Sequence, residues 1–425
     1  MSEPTSTSTP APQDFTELGL SARTLRALER AGYSEPTPIQ AGMIPLALQG
    51  VDVVGQAQTG TGKTAAFVIP ILEKLKPLRL VPGPQALILT PTRELAVQVR
   101  DEVVTLSHGR KLNCVAAYGG KPIRGQIEKL RAGARIVVGT PGRLLDLMAR
   151  GTLSWQDLST VVLDEADRML DIGFRPDIEK ILSRCPRQRQ TFLLSATVPP
   201  PIARLAERYM QDPQTLDFSG PGLSVDTIDQ FYFTVDREKK FELLVRLLAG
   251  EKPRQAIIFC RTKRGTDHVH RKLSRLTKRA ECIHGDMPQT SRDRVMRKLR
   301  DGTLRLLVAT DVVGRGIDVS GISHIINYDI PLFCDDYIHR VGRTGRMGRE
   351  GVAFTLVTPE EGAELTRIEQ RINRQLVRSD IPGMELVAPP IPLDTEPDTD
   401  TESEPEAKTP PPFGKRRGRR HRRAL

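Results

Sequence analysis

Short, nearly uninterrupted apolar runs recur along the chain and alternate with stretches whose apolar residues fall at helical spacing. Runs of this length, bounded by polar residues, predict strands buried on both faces of a parallel sheet, with helices covering it. In the first half the predicted strands are Val51 to Val54, Ala86 to Leu89, Cys114 to Ala117, Ile136 to Val138, Val161 to Leu163 and Phe192 to Leu194. A helix precedes them from Ser21 to Ala31, with Ser21 as N-cap, Leu25 and Leu28 on one face and Gly32 as the stop. Tyr33 to Gln40 then forms a double-proline turn into another helix, and a last helix lies near Ile202 to Met210. Asp212-Pro213 and Ser219-Gly220-Pro221-Gly222 mark a boundary. A second alternation follows, with strands at Phe231 to Val235, Ile257 to Phe259, Glu281 to Ile283, Leu306 to Val308, Ile325 to Asn327 and Ala353 to Val357. The expected organisation is a disordered 1–13, a first α/β domain over 14–212, a linker over 213–226, a second α/β domain over 227–375 and a disordered tail over 376–425.

Composition refines this picture. The formal charge is +11, and the tail from Asp394 to Leu425 nearly balances itself with seven carboxylates against eight bases. Most of the excess therefore sits on the folded core, which favours a polyanionic partner over a merely basic tail. No apolar stretch is long enough to span a bilayer, and the N-terminus lacks the charge and apolar regions of a secretion signal, so a cytoplasmic protein is expected. Cys114, Cys185, Cys260, Cys282 and Cys334 are scattered and without CxxC spacing, which indicates neither a disulfide framework nor a zinc site.

Two stretches bear chemistry. Val161-Val162-Leu163 ends abruptly in Asp164-Glu165-Ala166-Asp167, three carboxylates within four residues. At the carboxyl end of a buried parallel strand such groups project into a site, where one can hold a magnesium ion and the next can take a proton from an attacking water. The alternative is a solvated turn in which Asp caps the helix starting near Ala166. Ala57-Gln58-Thr59-Gly60-Thr61-Gly62-Lys63-Thr64 follows a strand and opens a helix. It departs from GxxxxGK[ST] only by Ala57, and its glycines let backbone N–H groups approach phosphates at a helix N-terminus. Lys63 can reach the β- and γ-phosphates, and the Thr64 hydroxyl can ligate the magnesium that Asp164 also holds. A plain Gly-rich turn is the alternative.

Taken together, these motifs resemble the DEAD-box ATP-dependent RNA helicase family of helicase superfamily 2, from Phe15 to about residue 360. The resemblance implies two tandem RecA-like domains, with ATP and magnesium as ligands and RNA as partner. Gly32-Tyr33, Pro36, Ile39 and Gln40 are similar to the Q motif, in which Gln40 reads adenine and Phe15 stacks on it. Pro91, Thr92 and Arg93, then Gly119 and Gly120, then Thr140, Gly142 and Arg143, match the first-domain RNA motifs, suited to a sugar-phosphate backbone rather than to base edges. Ser195 and Thr197 match the motif that couples hydrolysis to strand separation through Asp167. In the second domain Arg261, Gln289, Arg292 and Thr310 match further RNA motifs, and Asp318 approaches the ribose. Within His339 to Arg346, His339 belongs to the coupling set, and Arg343 and Arg346 act as arginine fingers on the γ-phosphate; Arg343, Arg346, Lys63 and Glu165 are thus the expected catalytic residues. Val313-Gly314 is the one visible departure, since alanine is commoner there.

The expected activity is RNA-stimulated hydrolysis of ATP with local unwinding of short duplexes, by a monomer that serves ribosome-assembly or RNA-degradation machinery. An ATP-gated RNA clamp with little unwinding, and a DNA-directed motor of the same superfamily, are the rivals. The basic tail end, Lys415 to Arg423, is expected either to anchor RNA without sequence preference or to pair with the acidic stretch before it.

Overall fold

The computed structural model describes residues 14–57, 60–77, 83–218, 228–311, 321–345 and 351–379. They fall into two compact units that divide between Pro221 and Gly222.

The first unit runs α1 (Ala22–Arg30), α2 (Pro38–Gln49), β1 (Val53–Gln56), α3 (Lys63–Lys74), β2 (Ala86–Leu89), α4 (Arg93–Leu106), β3 (Cys114–Ala117), α5 (Ile123–Arg131), β4 (Ile136–Gly139), α6 (Pro141–Ala149), β5 (Thr160–Leu163), α7 (Ala166–Asp171), α8 (Arg175–Leu182), β6 (Gln190–Ser195), α9 (Pro200–Tyr209) and β7 (Gln214–Asp217). Its sheet is parallel throughout, in the order β3-β4-β2-β5-β6-β1-β7. Successive strand side chains point to opposite faces, and both faces are covered. Val162 joins Ile88, Val138 and Phe192 under α3 and its Phe67 and Ile69, whereas Val161 and Leu163 join Leu87, Leu193 and Ile202 of α9 on the other face. Burial of each such side chain contributes roughly 1.5–3 kcal/mol. That requirement on both faces is why the strands read as unbroken apolar runs.

The ends of the elements follow local chemistry. Ser21 caps α1 by accepting from Thr24 N at 3.4 Å. The buried Asp52 carboxylate accepts from Thr191 N at 2.8 Å and Gln211 N at 2.7 Å, and so ties the starts of β1 and β6 to the segment entering β7. The strand β7 is a correction to the expected linker over 213–226: Gln214–Asp217 pairs with β1 as the sheet's edge. Its residues are mostly exposed, so no apolar run announced it.

The second unit runs β8 (Ile228–Thr234), α10 (Lys240–Glu251), β9 (Ala256–Phe259), α11 (Lys263–Leu273), β10 (Ala280–Ile283), α12 (Gln289–Arg300), β11 (Leu306–Ala309), β12 (His324–Asn327), α13 (Cys334–Val341), β13 (Gly351–Val357), α14 (Gly362–Ile372) and β14 (Val377–Arg378). The sheet order is β10-β11-β9-β12-β13-β8-β14, again wholly parallel. Counted from its own first strand, this repeats the order of the first sheet. The two units are therefore the same architecture built twice, although their sequences show no close repeat.

Arg340 of α13 is the largest fully buried side chain. Its guanidinium donates to Asp311 Oδ1 at 2.5 Å and Oδ2 at 2.8 Å, to Asn327 Oδ1 at 3.1 Å and to the Asp329 carbonyl at 2.7 Å. It also lies 5.0 Å from the centre of the Phe259 ring. One cation thus joins the carboxyl ends of β9, β11 and β12 to α13 through four hydrogen bonds. Arg340→Met strands Asp311 and Asn327, and we expect it to destabilise the second unit by about 3–5 kcal/mol. In urea titrations the far-ultraviolet signal of that unit should unfold early, while fluorescence of Trp155, the chain's one tryptophan and buried in the first unit, keeps its midpoint. Coincident, unshifted transitions would contradict the role.

Candidate functional site

The carboxyl ends of β1, β5 and β6 lie side by side in the first sheet, with Gln56 in register with Ser195. The loop leaving β1 turns through Gly60 (φ 85°) and Gly62 (φ 89°), left-handed backbone that favours glycine, before Lys63 and Thr64 begin α3. Gly62 has a second reason: a Cβ there would lie 2.9 Å from Thr37 Oγ1 and would overlap the Gln40 amide. Gln40, buried in the first turn of α2, accepts from Thr37 N at 3.0 Å and donates to the Gly62 carbonyl at 3.1 Å. It is at once a helix cap and a brace under the glycine loop. The buried Lys63 ammonium donates back to the Ala57 carbonyl at 2.7 Å, closing the loop on itself. Gln58 and Thr59 of this loop lie outside the described residues. Phe15 departs from the expectation of a ring free to stack: only 4% exposed, it packs edge to face on Tyr33, with centroids 6.2 Å apart.

At the end of β5 the three carboxylates have three different surroundings. Asp164 is 3% exposed and its Oδ1 accepts from Glu165 N at 3.0 Å. Burial pushes its carboxyl up to about 7, the nearby Lys63 opposes this, and the charges of Glu165 and Asp167 add to it. Glu165 takes a left-handed conformation (φ 50°) that costs a non-glycine residue on the order of 1 kcal/mol or more, and its Oε2 is buried with no hydrogen-bond partner. No Asp caps α7; the N-cap is Glu165 itself, without a side-chain bond. Asp167 is fully engaged instead: Oδ1 accepts from Arg168 N at 2.8 Å, and Oδ2 accepts from Ala196 N at 3.1 Å, Thr197 N at 3.0 Å and Thr197 Oγ1 at 3.2 Å. Ser195 Oγ accepts from Asp167 N at 3.2 Å, so this hydroxyl meets the backbone rather than the carboxylate.

The loops after β2, β3 and β4 are neighbours at the same edge of the sheet. Thr92 caps α4 through Leu95 N at 3.2 Å, and it and Pro91 are buried. The Arg93 guanidinium lies against Gly119 and Gly120, where a Cβ on Gly120 (φ 83°) would overlap it. Arg143 donates to the Lys121 carbonyl at 3.3 Å; beside it Gly142 is exposed, and Thr140 is the N-cap of α6. Three motifs far apart in sequence therefore form one continuous surface.

In the second unit the motif side chains are held by internal partners. The Arg261 guanidinium donates to Glu361 Oε1 at 2.7 Å and the Ile330 carbonyl at 3.1 Å, within a network in which Lys240 also approaches Glu361 (3.3 Å) and Asp329 (3.7 Å). Gln289 donates to Asp293 at 2.9 Å, and Gln289, Arg292 and Thr310 are buried, as Thr92 is in the first unit. His339 and Arg343 are buried too, Arg343 Nε donating to the His339 carbonyl at 3.1 Å. Asp318 and Arg346 lie outside the described residues, as do Val313, Gly314 and the basic tail.

Comparison with known proteins decides the family. The DEAD/DEAH box helicase profile matches residues 37–205, and the helicase conserved C-terminal domain profile matches 239–348. The chain is 48% identical over 371 residues to the DEAD-box ATP-dependent RNA helicase CshA of Geobacillus kaustophilus, covering 87% of this chain and 79% of that protein. The chain belongs to the DEAD-box helicases. The Bacillus subtilis CshA is 46% identical over 87% of this chain and 75% of its own. Among solved structures, S. cerevisiae Dbp5 bound to RNA and ADP BeF3 matches with a TM-score of 0.79 at 32% identity, over 86% of this chain and 95% of that one. Mss116p bound to ssRNA and AMP-PNP matches with a TM-score of 0.78 at 28% identity, over 87% and 79%. Two tandem RecA-like domains are thereby established for this DEAD-box chain.

Sequence reasoning missed two pairings that position the motif residues of this DEAD-box chain: Asp311 with Arg340, and Glu361 with Arg261. Their partners are 29 and 100 residues away, and no local pattern encodes such pairings. Asp164 is a buried carboxylate at the end of β5 and Thr64 begins α3, and both offer the oxygen ligands that a magnesium ion takes. For Asp164, a folded pKa raised above its unfolded value means the native state binds more protons, so its charge costs stability as pH rises from the ordinary carboxylate range through 7. Asp164→Asn should therefore raise the melting temperature of the free protein more at pH 8 than at pH 5. A gap independent of pH would contradict this.

Proposed function

We propose that this chain is an ATP-dependent RNA helicase that binds RNA through its backbone and separates short duplexes locally. ATP hydrolysis then releases the strand. The observation that carries the reading is the juxtaposition at one sheet edge of the Gly62-Lys63 loop with a buried Asp164, a strained Glu165 and an Asp167 tied to Ser195-Ala196-Thr197.

Each residue has a task. Gly60, Gly62 and the first amides of α3 form the phosphate cradle, and Lys63 exchanges its bond to Ala57 for the β- and γ-phosphates. Gln40 has its carbonyl on Thr37 N and one amide hydrogen on Gly62, which leaves a second hydrogen for the adenine edge. Thr64 and Asp164 hold magnesium, which when bound neutralises phosphate charge. Glu165 accepts the proton of the attacking water, a role its unpartnered oxygen leaves open. Arg343 and Arg346 are carried over from the family as the arginines that stabilise charge on the transferred phosphoryl group.

The backbone-binding surface is the edge formed by Thr92, Arg93, Gly119, Gly120, Thr140, Gly142 and Arg143, suited to sugar and phosphate through amides and guanidinium groups. With no base-reading side chain expected there, the binding is indifferent to sequence. In the second unit Thr310 and Arg261 contribute only if their present internal bonds rearrange. Among the described residues no helix is long and apolar enough to cross a membrane, and we propose a cytoplasmic monomer.

Glu165→Gln tests the assignment. It keeps the shape but removes the base, so RNA-stimulated turnover should fall by roughly 10²-fold or more. ATP and RNA should remain bound together in filter-binding or fluorescence assays. Normal stimulated hydrolysis by the variant would eliminate Glu165 as the base. Strand displacement by the unmodified chain, measured beside its ATPase, separates the helicase reading from a clamp: ATP turnover without displacement of a short duplex would refute unwinding.

A further inference from the structure

Away from the motif residues, Asp267 of α11, Cys282 of β10 and His284 just after it converge in the second unit. Among the described residues this is the one group of three metal-ligating side chains whose ligand atoms all lie within 4.8 Å of one another. His284 Nε2 is 3.0 Å from Asp267 Oδ1, and Cys282 Sγ is 3.9 Å from the same oxygen. Cys282 and His284 are buried, whereas the Asp267 side chain is 47% exposed and opens one side to water.

We propose that Asp267, Cys282 and His284 bind a zinc-type transition metal, with water as the fourth ligand on the exposed side. Four observations support it. The alternation of side chains along an extended segment puts residues 282 and 284 on one side, facing α11. Ligands about 2.0–2.3 Å from a tetrahedral zinc are separated by roughly 3.3–3.8 Å, and the observed 3.0 and 3.9 Å bracket that range. The His284 Nε2–H donates to the Asp267 carboxylate, and the buried Nδ1 has no partner, so Nδ1 is open to take that proton when Nε2 turns to a metal. Finally, the neighbouring lysines are taken elsewhere: Lys263 pairs with Asp286 at 2.5 Å and Lys298 with Glu281 at 2.6 Å. Apart from His284, Asp267 has no ion-pair partner among the described residues.

A thiol and an imidazole select a soft or borderline ion over magnesium or calcium. The free Cys282 is a thiol, its ionisation pushed up to about 11 by burial and by Asp267 and Glu281. Metal entry therefore forms the S–M bond as the S–H proton leaves to water, and it replaces the Asp267–His284 hydrogen bond as the Nε2 proton passes through water to Nδ1, which frees the Nε2 lone pair for the metal. The ion would pin α11 to the end of β10, the segment that leads through Gly285 into α12. It is independent of the proposed ATP site and of magnesium.

Titration of the full chain with cobalt(II), without nucleotide, tests the site. One equivalent should give the visible and near-ultraviolet absorption of a thiolate-bound ion, abolished by added zinc. Zinc should also raise the melting temperature of the second unit. Cys282→Ser should remove the sulfur-to-metal band, and the other four cysteines should not supply it. Asp267→Asn, at a side chain exposed enough to be replaced without disturbing the core, should weaken zinc binding by roughly tenfold or more. A band that persists in Cys282→Ser, zinc affinity unchanged in Asp267→Asn, or a folded unmodified chain with neither band nor zinc-dependent melting shift, would overturn the proposal.

Discussion

The carboxylate of Asp167 is the constraint on which the first unit's site depends. It is buried, it must be satisfied, and it takes its partners from two loops: Arg168 N from its own, and Ala196 N, Thr197 N and Thr197 Oγ1 from the end of β6. Since four donors on one buried carboxylate cannot be given up without cost, the loop after β5 and the loop after β6 move as one body or not at all. Glu165 holds its left-handed conformation between Asp164 and this anchor. The strain at Glu165 is thus set by its neighbours, and it leaves a carboxylate oxygen without the partner that relaxed backbone would provide.

Several of the motif side chains are engaged by the protein's own groups. Lys63 bonds the Ala57 carbonyl, Gln40 bonds the Gly62 carbonyl, Arg143 bonds the Lys121 carbonyl and Arg261 pairs with Glu361. Such internal bonds keep the charges satisfied, but each one broken subtracts from what a ligand gains. Burial holds the Asp164 carboxyl up near 7 against the opposing Lys63 charge and the Glu165 N–H, so a further cation beside it favours the charged form. Electrostatics therefore favour a positive charge beside Asp164 and a negative one beside Lys63.

The fold was legible because both sheets are covered on both faces. Val161-Val162-Leu163 could only be an interior strand, and the same holds for Ile257 to Phe259. The edge strands Gln214–Asp217 and Val377–Arg378 left no such mark, since one or both of their faces meet water. In the candidate site, the glycine loop and the three carboxylates were readable from spacing, because phosphates need amides and glycine and a metal needs carboxylates. What spacing could not supply was surroundings. Phe15 was read as stacking on adenine, and Gln289 and Arg292 as RNA contacts; the burial of all three is a feature that no spacing indicates. Asp267, Cys282 and His284 were invisible as a group because the chain order separates a helix residue from the end of the next strand.

If the Asp167 anchor transmits the loss of phosphate to the bound strand, weakening it must lower the work obtained per nucleotide rather than turnover itself. The direct measurement is the number of short RNA duplexes separated per ATP hydrolysed by Thr197→Val, which removes one donor to Asp167 and keeps the volume of the side chain. The anchor predicts a ratio well below that of the unmodified chain, with RNA-stimulated hydrolysis largely retained. A ratio equal to that of the unmodified chain would contradict it.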